Sequence, residues 1–233
     1  METEPSVKQV KETSLQIEQY DRSKFSNPER VGTGAYKKLY RAISESDDMV
    51  VALKQVDIKN EKELLKEIEL QFNVNHHPNI IRFYGITEIM PSNYMLMFEF
   101  ADNGTLCEYL HTKVLTWNDR FKLAYQIASA IKCLHSHNIV HGNLNSFNTL
   151  VHQDNIKISD FGPSKNLIDI NINPYFQPTS LMAEEHVPGT PEQYNQIYTD
   201  CWQSNRSRRP DIIEVANSLK RLMSSHVSIS VNE

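Results

Sequence analysis

The chain has 233 residues, of which 39% are hydrophobic and 9% aromatic, as is ordinary for a globular protein of one or two domains. Its 24 Lys and Arg residues and 29 Asp and Glu residues give a formal net charge of -5 without a basic block, which argues against nucleic-acid binding. The three cysteines are odd in number and far apart, no apolar run is long enough to cross a bilayer, and the acidic start lacks the form of a signal peptide. We therefore expect a soluble, cytoplasmic protein.

The N-terminal part of the chain divides into a polar segment and a β-rich domain. Residues 1–24 carry too few apolar side chains to define a stripe, so the sequence predicts a solvated extension. From Phe25 onward, strands punctuated by glycine over residues 30–42 and an apolar run over residues 49–53 predict a β meander.

A helix and two further strands are predicted to complete this first lobe. Asn60 has the side chain of an N-cap, with Glu63 at the third helical position, and apolar residues then recur at helical spacing until Pro78. Further strands are predicted over residues 80–84 and 94–100. One helix is therefore expected to pack on the meander.

The remainder of the chain predicts a second, mainly helical lobe. Thr116 and Asp119 have the spacing of a capping box that opens a long helix, and Pro210 lies where the first turn of a last helix is expected. Short strands between these helices are predicted at residues 139–140, 150–151 and 156–158. The predicted organisation is an extension over 1–24, a domain over 25–223 with lobes 25–101 and 102–223, and a polar tail over 224–233.

Two features of the first lobe point to phosphate binding, although each also has a plainer interpretation. Residues 31–34, Val-Gly-Thr-Gly, either bring backbone N–H groups close to phosphates or form an ordinary turn. Lys37 stands where a phosphate-binding loop of the pattern G-x-G-x-x-G would have its third glycine. Lys54 follows apolar residues of a strand, where a solvent-facing edge lysine is the simpler interpretation. Glu67 on the next helix is, however, placed to pair with Lys54 and hold it against the phosphates of a nucleotide.

The most specific signal is an ordered series in the second lobe. Residues 141–148 are His-Gly-Asn-Leu-Asn-Ser-Phe-Asn, and two strands later residues 160–162 are Asp-Phe-Gly. An isolated Asp in a turn is usually a capping residue. Together, however, Asn148 and Asp160 offer two oxygen ligands for Mg²⁺.

Taken in order, these motifs resemble those of the eukaryotic protein kinases from Phe25 to Leu222, most closely the tyrosine-kinase-like branch and the fungal kinase-like proteins related to it. The resemblance implies an α+β, bilobal fold with a β-rich small lobe and a mainly α-helical large lobe. It also implies that ATP lies between the lobes with Mg²⁺. Further matches are His77-Pro78-Asn79-Ile80, Phe98-Glu99-Phe100-Ala101, Tyr198-x-x-Cys201-Trp202 and Arg209-Pro210.

The resemblance assigns residues to the nucleotide, with the adenine hydrogen-bonded to the backbone at Glu99 and Ala101. Lys54 and Glu67 would be catalytic, and Asn148 and Asp160 would bind the metal. The nucleotide-binding residues that it implies are Val31, Gly32, Gly34, Leu39, Ala52, Lys54, Phe98, Glu99, Ala101 and Leu150.

Several positions depart from the family pattern. Asn143 stands where active kinases have the Asp that accepts the substrate proton, and an amide cannot accept it. Gly142 replaces the arginine that clamps a phosphorylated activation loop. Smaller departures are Lys37, Pro163 and Gln71, a polar residue in an apolar internal column that needs a hydrogen-bond partner if it is buried.

The large lobe is expected to lack its central helices. Residues 183–185, Ala-Glu-Glu, resemble the end of an activation segment, but too few residues separate them from Arg209 to hold those helices. A natural deletion, a splice product and a gene-model error would each explain the gap. We expect apolar side chains to be less covered as a result, and self-association or a protein partner to follow from this. The affected side chains are Phe121, Ile131, Leu134 and Trp202.

The leading functional interpretation is an ATP-binding pseudokinase that has little phosphotransfer activity and acts in signalling by binding an unidentified protein partner. One alternative is an active protein kinase that transfers the ATP γ-phosphate to a protein hydroxyl despite Asn143. A further alternative is a truncated, non-functional relic. Residues 145–147, Asn-Ser-Phe, do not distinguish Ser/Thr from Tyr preference.

Overall fold

The computed structural model describes residues 17–31, 38–56, 61–90, 93–161, 164–166 and 188–229. Within them the chain forms two lobes, the first built on a β-sheet and the second mainly on α-helices. The glycine loop at residues 32–37, the predicted cap Asn60, Pro163 and residues 183–185 lie outside the described residues. The α+β, bilobal architecture is the one that the sequence predicts.

The first lobe is built from six strands and one α-helix: β1 Gln19–Tyr20, β2 Phe25–Arg30, β3 Leu39–Ser44, β4 Met49–Val56, α1 Glu61–Val74, β5 Phe83–Met90 and β6 Asn93–Glu99. The strands form one sheet in the order β1-β5-β6-β4-β3-β2, with α1 packed against it. Neighbouring strands are mostly antiparallel, as predicted for a meander.

The two faces of β4 pack against different parts of the first lobe, because successive side chains point to opposite faces of a strand. Val51 and Leu53 are buried on one face with Met95 and Met97 of β6. Lys54 lies on the opposite face, which α1 covers. There it pairs in register with Leu96, which packs with Leu64 and Ile68 of α1. The alternation therefore directs Lys54 toward the helix rather than toward solvent.

The prediction of a solvated extension over residues 1–24 is wrong for its described part, residues 17–24. Strand β1 pairs in parallel with β5, and Ile17 packs against the apolar cluster under α1. The chain comes so close to Gly85 that a Cβ atom there would collide with the carbonyl oxygen of Glu18. A glycine at this position lets the N-terminal strand join the sheet, so residues 17–24 belong to the first lobe.

The second lobe contains four α-helices and two small two-stranded sheets among the described residues. The bounds are α2 Leu106–Thr112, α3 Trp117–Ser136, β7 Ile139–Val140, β8 Thr149–His152, β9 Asn155–Ile158, β10 Lys165–Asn166, α4 Glu192–Cys201 and α5 Ile212–Ile229. The hairpin β8–β9 is antiparallel, and β7 pairs with β10.

Side-chain caps set the starts of these helices. The predicted capping box of α3 is present, with Thr116 and Asp119 bonded reciprocally, and Thr105 and Glu108 form a second box at the start of α2. The last helix begins at Ile212 instead of Pro210, because the carboxylate of Asp211 accepts hydrogen bonds from the first free N–H groups. It continues to Ile229, beyond the predicted start of the polar tail.

The centre of the second lobe is covered more completely than the sequence predicts. Phe121 is fully buried and its ring contacts those of Trp117 and Tyr194, while Leu134 is 1% exposed in the main apolar cluster. The expectation of poor cover is therefore wrong for both residues, because the Tyr194 ring of α4 lies against Phe121 and residues of β8 and β9 pack with Leu134. Trp202 is 39% exposed.

The connection from α1 to β5, residues 75–82, forms the joint between the two lobes. Ile81 N donates to Ile158 O and Ile158 N donates to Asn79 O, each at 2.9 Å, so this segment pairs with the last residue of β9. Predicted strand 80–84 thus starts later, at Phe83, because its first residues bond to the second lobe instead of the sheet. The joint fixes α1 relative to the strand that leads to Asp160.

Candidate functional site

A cleft of about 570 Å³ lies between the two lobes, within the range of roughly 300–1,000 Å³ that is typical of small-molecule sites. The sheet of the first lobe, the connection after β6 and the hairpin β8–β9 line it. Every predicted nucleotide-binding residue that the structure describes lies in this cleft: Val31, Leu39, Ala52, Lys54, Phe98, Glu99, Ala101 and Leu150. Gly32 and Gly34 lie outside the described residues.

Lys54 forms the predicted ion pair with Glu67. Its Nζ atom lies 2.7 Å from Glu67 Oε1 and 3.6 Å from Asp160 Oδ1. The three side chains are 13%, 16% and 14% exposed, so water screens the charges only in part. The cation is therefore held at the floor of the cleft between one carboxylate from α1 and one from the second lobe.

Asp160 is positioned by an unusual backbone conformation. Its φ angle is +70°, in the left-handed region that non-glycine residues rarely adopt, and residues held there by the surrounding structure cluster at functional sites. Next to it, Ser159 donates from both its N and its Oγ to Asn148 O, and the buried ring of Phe161 meets the edge of His141 at a centroid distance of 5.3 Å. The segment is thus anchored on both sides of the carboxylate.

The loop that precedes β8 is held together by asparagine side chains. Asn148 Nδ2 donates to Asn143 O at 2.8 Å, and Asn145 Oδ1 accepts from the backbone N atoms of Phe147 and Asn148. Asn145 Nδ2 also lies 3.3 Å from Asn143 Oδ1. Gly142 has a φ angle of +77°, which glycine adopts without strain. The Asn143 side chain is thereby placed in an exposed position on this loop.

The oxygen atoms of Asn148 and Asp160 fit the requirements of Mg²⁺. Because the Asn148 amide nitrogen is bonded to Asn143, its carbonyl oxygen is the atom left for a ligand. In the part of the chain that the structure describes, no group of three or more His, Cys, Asp or Glu side chains is arranged to hold a metal ion. Two protein oxygens are nevertheless enough where substrate phosphates and water supply the remaining ligands.

The connection after β6 is fixed through the side chain of Glu99. Lys157 Nζ lies 2.8 Å from Glu99 Oε2, and the same oxygen accepts a hydrogen bond from Arg82 N. The carboxylate therefore contacts β9 and the segment before β5. The side chain is thus engaged, and the Glu99 N–H group donates to Arg82 O at 2.8 Å, so neither group is available for the predicted adenine contact.

Several residues in the cleft were not predicted to form part of it. Glu108 lies at its edge, where hydrogen bonds from the N–H and hydroxyl of Thr105 hold the pKa of the carboxyl below its usual value. The Thr-x-x-Glu spacing was a usable sequence signal. Phe147 is 66% exposed and also lines the cleft, whereas no pattern in the sequence indicates where this side chain points.

Gln71 is buried, and it has the partner that a buried amide requires. It is 3% exposed, and its Nε2 atom donates to Ile81 O at 2.7 Å. It lines the inner end of the cleft. The polar departure from the family pattern is thus satisfied by the main chain.

Comparison with known proteins identifies the class of this fold and site. Residues 25–217 match the family model described as the protein kinase domain, and the chain belongs to this family. It is 30% identical over 217 aligned residues to the leaf rust 10 disease-resistance locus receptor-like protein kinase-like 1.2 of Arabidopsis thaliana, covering 89% of this chain and 31% of that protein.

Other relatives come from both plants and mammals. Wall-associated receptor kinase-like 20 of Arabidopsis thaliana is 35% identical over 159 residues, covering 63% of this chain and 24% of the relative. Testis-specific serine/threonine-protein kinase 1 of Mus musculus is 37% identical over 143 residues, with 58% and 39% covered. The chain spans about a third or less of the length of the receptor-like kinases that it matches here. None of its described helices is long and apolar enough to cross a membrane.

Proposed function

We propose that this chain is a pseudokinase of the tyrosine-kinase-like type that binds ATP and Mg²⁺, transfers phosphate slowly or not at all, and acts in signalling through a protein partner. One observation carries the proposal. Lys54, Glu67 and Asp160 are assembled in the cleft, while Asn143 occupies the position of the catalytic base. The groups proposed to bind the nucleotide are thus present in the cleft, whereas the position of the catalytic base carries an amide that cannot accept a proton.

The cleft offers separate places for the parts of the nucleotide. Apolar side chains at Val31, Ala52 and Leu150 suit the flat base, with the backbone at Glu99 and Ala101 as its hydrogen-bonding edge. Lys54 would neutralise the α- and β-phosphates, as the corresponding lysine does in protein kinases. Asn148 and Asp160 would hold the metal ion, which would add to the neutralisation of phosphate charge.

The proposal of weak phosphotransfer depends on the chemistry of the amide group. An Asn side chain neither removes the proton of a hydroxyl nor carries the charge that a general base needs. Loss of general-base assistance is expected to lower the rate by about 10²–10⁴-fold. Gly142, next to Asn143, offers no guanidinium group for a phosphorylated loop.

Residual activity is the second candidate function, and a specific observation favours it. Lys54, Asn148 and Asp160 line the same cleft, where a cation and two side-chain oxygens can orient a phosphate, and orientation alone contributes substantially to catalysis. An active protein kinase of reduced rate would use these groups without a base.

Protein partners or a second copy of the chain have an exposed apolar surface available on the second lobe. Trp202 is 39% exposed at the end of α4, and Ile213 is 49% exposed at the start of α5. Exposed apolar side chains of this kind, in a large lobe that is short of the family's central helices, support self-association or partner binding through this lobe. Sedimentation of the wild type and of a Trp202→Ser, Ile213→Ser double variant tests this role. A concentration-dependent mass that the variant loses is the expected result.

Thermal unfolding with nucleotide, combined with turnover of labelled ATP, tests the main proposal. Millimolar MgATP should raise Tm, because a ligand that binds only the folded state stabilises it by about 2.7 kcal/mol at 100 times Kd. Phosphotransfer should be far below the 1–100 s⁻¹ that is typical of kinases. No shift in Tm would refute nucleotide binding, and a rate in the typical range would refute the pseudokinase assignment.

A further inference from the structure

We propose that Gln71 is a positioning residue that holds Glu67 and Lys54 in place for a nucleotide triphosphate. The inference rests on the proposed nucleotide-binding function and adds a structural device that the family pattern lacks. Gln71 lies four residues, or about one helical turn, after Glu67 on α1, so the two side chains share a face of the helix. The side chain of Gln71 is buried at the inner end of the cleft.

The hydrogen bond of Gln71 reaches the segment that carries the second lobe's contribution to the site. Gln71 Nε2 donates to Ile81 O at 2.7 Å, and the N–H group of the same Ile81 donates to Ile158 O at 2.9 Å. Ile158 is the last residue of β9 and precedes Asp160 by two positions. One peptide segment therefore bonds α1 on one side and the strand leading to Asp160 on the other.

The contacts of Lys54 close this path into a ring. Lys54 Nζ lies 2.7 Å from Glu67 Oε1 and 3.6 Å from Asp160 Oδ1, and Glu67 returns to Gln71 along α1. Within this ring, the link between α1 and the main chain of the joint is the hydrogen bond that the Gln71 side-chain amide donates to Ile81 O. An apolar residue at this position would touch the joint but would leave Ile81 O without this donor.

A hydrogen bond restricts the helix in a way that apolar contact does not. It weakens steeply when its angle or length changes, and it is stronger in a buried, weakly polarisable environment than in water. Rotation or outward movement of α1 would break it and would move Glu67 away from Lys54 at the same time. Gln71 thus couples the position of α1 to the ion pair at the floor of the cleft.

The coupling should affect binding of phosphate groups and spare binding of the base. Val31, Ala52 and Leu150, which form the proposed walls for adenine, are not members of the ring. Loss of the Gln71 hydrogen bond should therefore weaken MgATP binding while leaving adenosine binding unchanged. A residue that only stabilises the fold would weaken both ligands equally or neither.

Calorimetric titration of MgATP and adenosine into the full chain, with wild type and Gln71→Met, tests the inference. Methionine keeps the length of the side chain but removes the donor, and Gln71→Leu provides a second apolar variant. We expect a five- to tenfold loss of MgATP affinity, about the size of one buried hydrogen bond, and adenosine affinity within about twofold of wild type.

A matched control is Gln126→Met on α3. This glutamine also bonds a neighbouring strand, through Asn155 and Ile156, but does not line the cleft, and it should leave the ratio of the two affinities unchanged.

A double-mutant cycle with Lys54→Met keeps the test decisive if Gln71→Met also lowers Tm. If Gln71 acts through the ion pair, its replacement should cost no further MgATP affinity once Lys54 is gone. Additive losses, or equal losses for adenosine and MgATP, would overturn the positioning role. If the wild-type chain binds neither ligand, the proposed function itself is contradicted. The wild-type titrations alone distinguish that outcome from failure of the positioning role.

Discussion

The side-chain amide of Asn148 donates a hydrogen bond to the main-chain carbonyl oxygen of Asn143 at 2.8 Å. The residue proposed to bind metal and the residue at the position of the base are thereby fixed on one loop. Asn145 adds a contact of 3.3 Å between its Nδ2 atom and Asn143 Oδ1. A carboxylate at position 143 would keep both interactions, because each uses an oxygen of residue 143 as the acceptor.

Replacement of Asn143 by Asp should therefore restore a base without rebuilding the loop. We expect Asn143→Asp to raise phosphotransfer to a protein hydroxyl by about 10²–10⁴-fold over the wild type. The measurement is incorporation of labelled phosphate at saturating MgATP. Asn145→Asp, which places a carboxylate two residues away on the same loop, is the control and should give no gain. Equal rates for the wild type and Asn143→Asp would show that Asn143 does not limit the reaction.

Lys54 is expected to contribute most to nucleotide affinity, because its Nζ atom is the cation that faces the cleft beside Asp160. Lys54→Met should remove most of the MgATP-induced rise in Tm. Lys122→Met serves as the control, since Lys122 Nζ also makes a polar contact, to Asp154 O, but neither residue lines the cleft. The control should keep the nucleotide-induced rise in Tm. A rise that survives in Lys54→Met would show that the nucleotide binds elsewhere.

Much of the candidate site could be predicted because it depends on local patterns in a recognisable order. The apolar alternation of β4 and the helical spacing of α1 place Lys54 and Glu67 on facing surfaces, and the Lys54–Glu67 ion pair is confirmed. The main-chain partner of Gln71 could not be predicted. A carbonyl oxygen of the joint carries no sequence signal, and its position depends on pairing of that segment with β9.

The errors in the fold prediction have a common physical cause, which is long-range packing of short segments. Strand β1 has two residues and no periodicity of its own, so only its pairing with β5 reveals it. Helix α4 contributes no fully buried side chain, yet its Tyr194 ring covers Phe121. In both cases tertiary contacts outweigh local preference.

Burial of Phe121 should make it important for stability despite the shortened large lobe. Phe121→Ala removes a fully buried ring between Trp117 and Tyr194, and such changes typically destabilise by about 3–5 kcal/mol. The free energy of unfolding in urea measures this loss. Val114→Ala, at a fully exposed apolar position in the connection between α2 and α3, should change it by less than about 0.5 kcal/mol. Similar values for the two variants would contradict the packing of α4 on α3.

His77 should make the joint between the lobes sensitive to acid. Its Nε2 atom lies 3.2 Å from Ser129 Oγ on α3, and its Nδ1 atom accepts a hydrogen bond from Asn79 N, which requires that nitrogen to be unprotonated. Burial, followed by the nearby charges of His76 and Lys157, lowers the pKa of His77 from its usual value. The folded state therefore favours the neutral ring more than the unfolded state does.

The sign of the pH dependence follows from this lowered pKa. Stability from His77 is fully present above the unfolded-state pKa of about 6.5, and it is lost as the pH falls below that value, because the unfolded chain takes up the proton first. Urea midpoints measured at about pH 7.5 and pH 5.5, on either side of that value, should differ less for His77→Gln than for the wild type. His111→Gln, at an exposed position on α2, should keep the wild-type difference. An unchanged difference in His77→Gln would exclude His77 as the source of acid sensitivity.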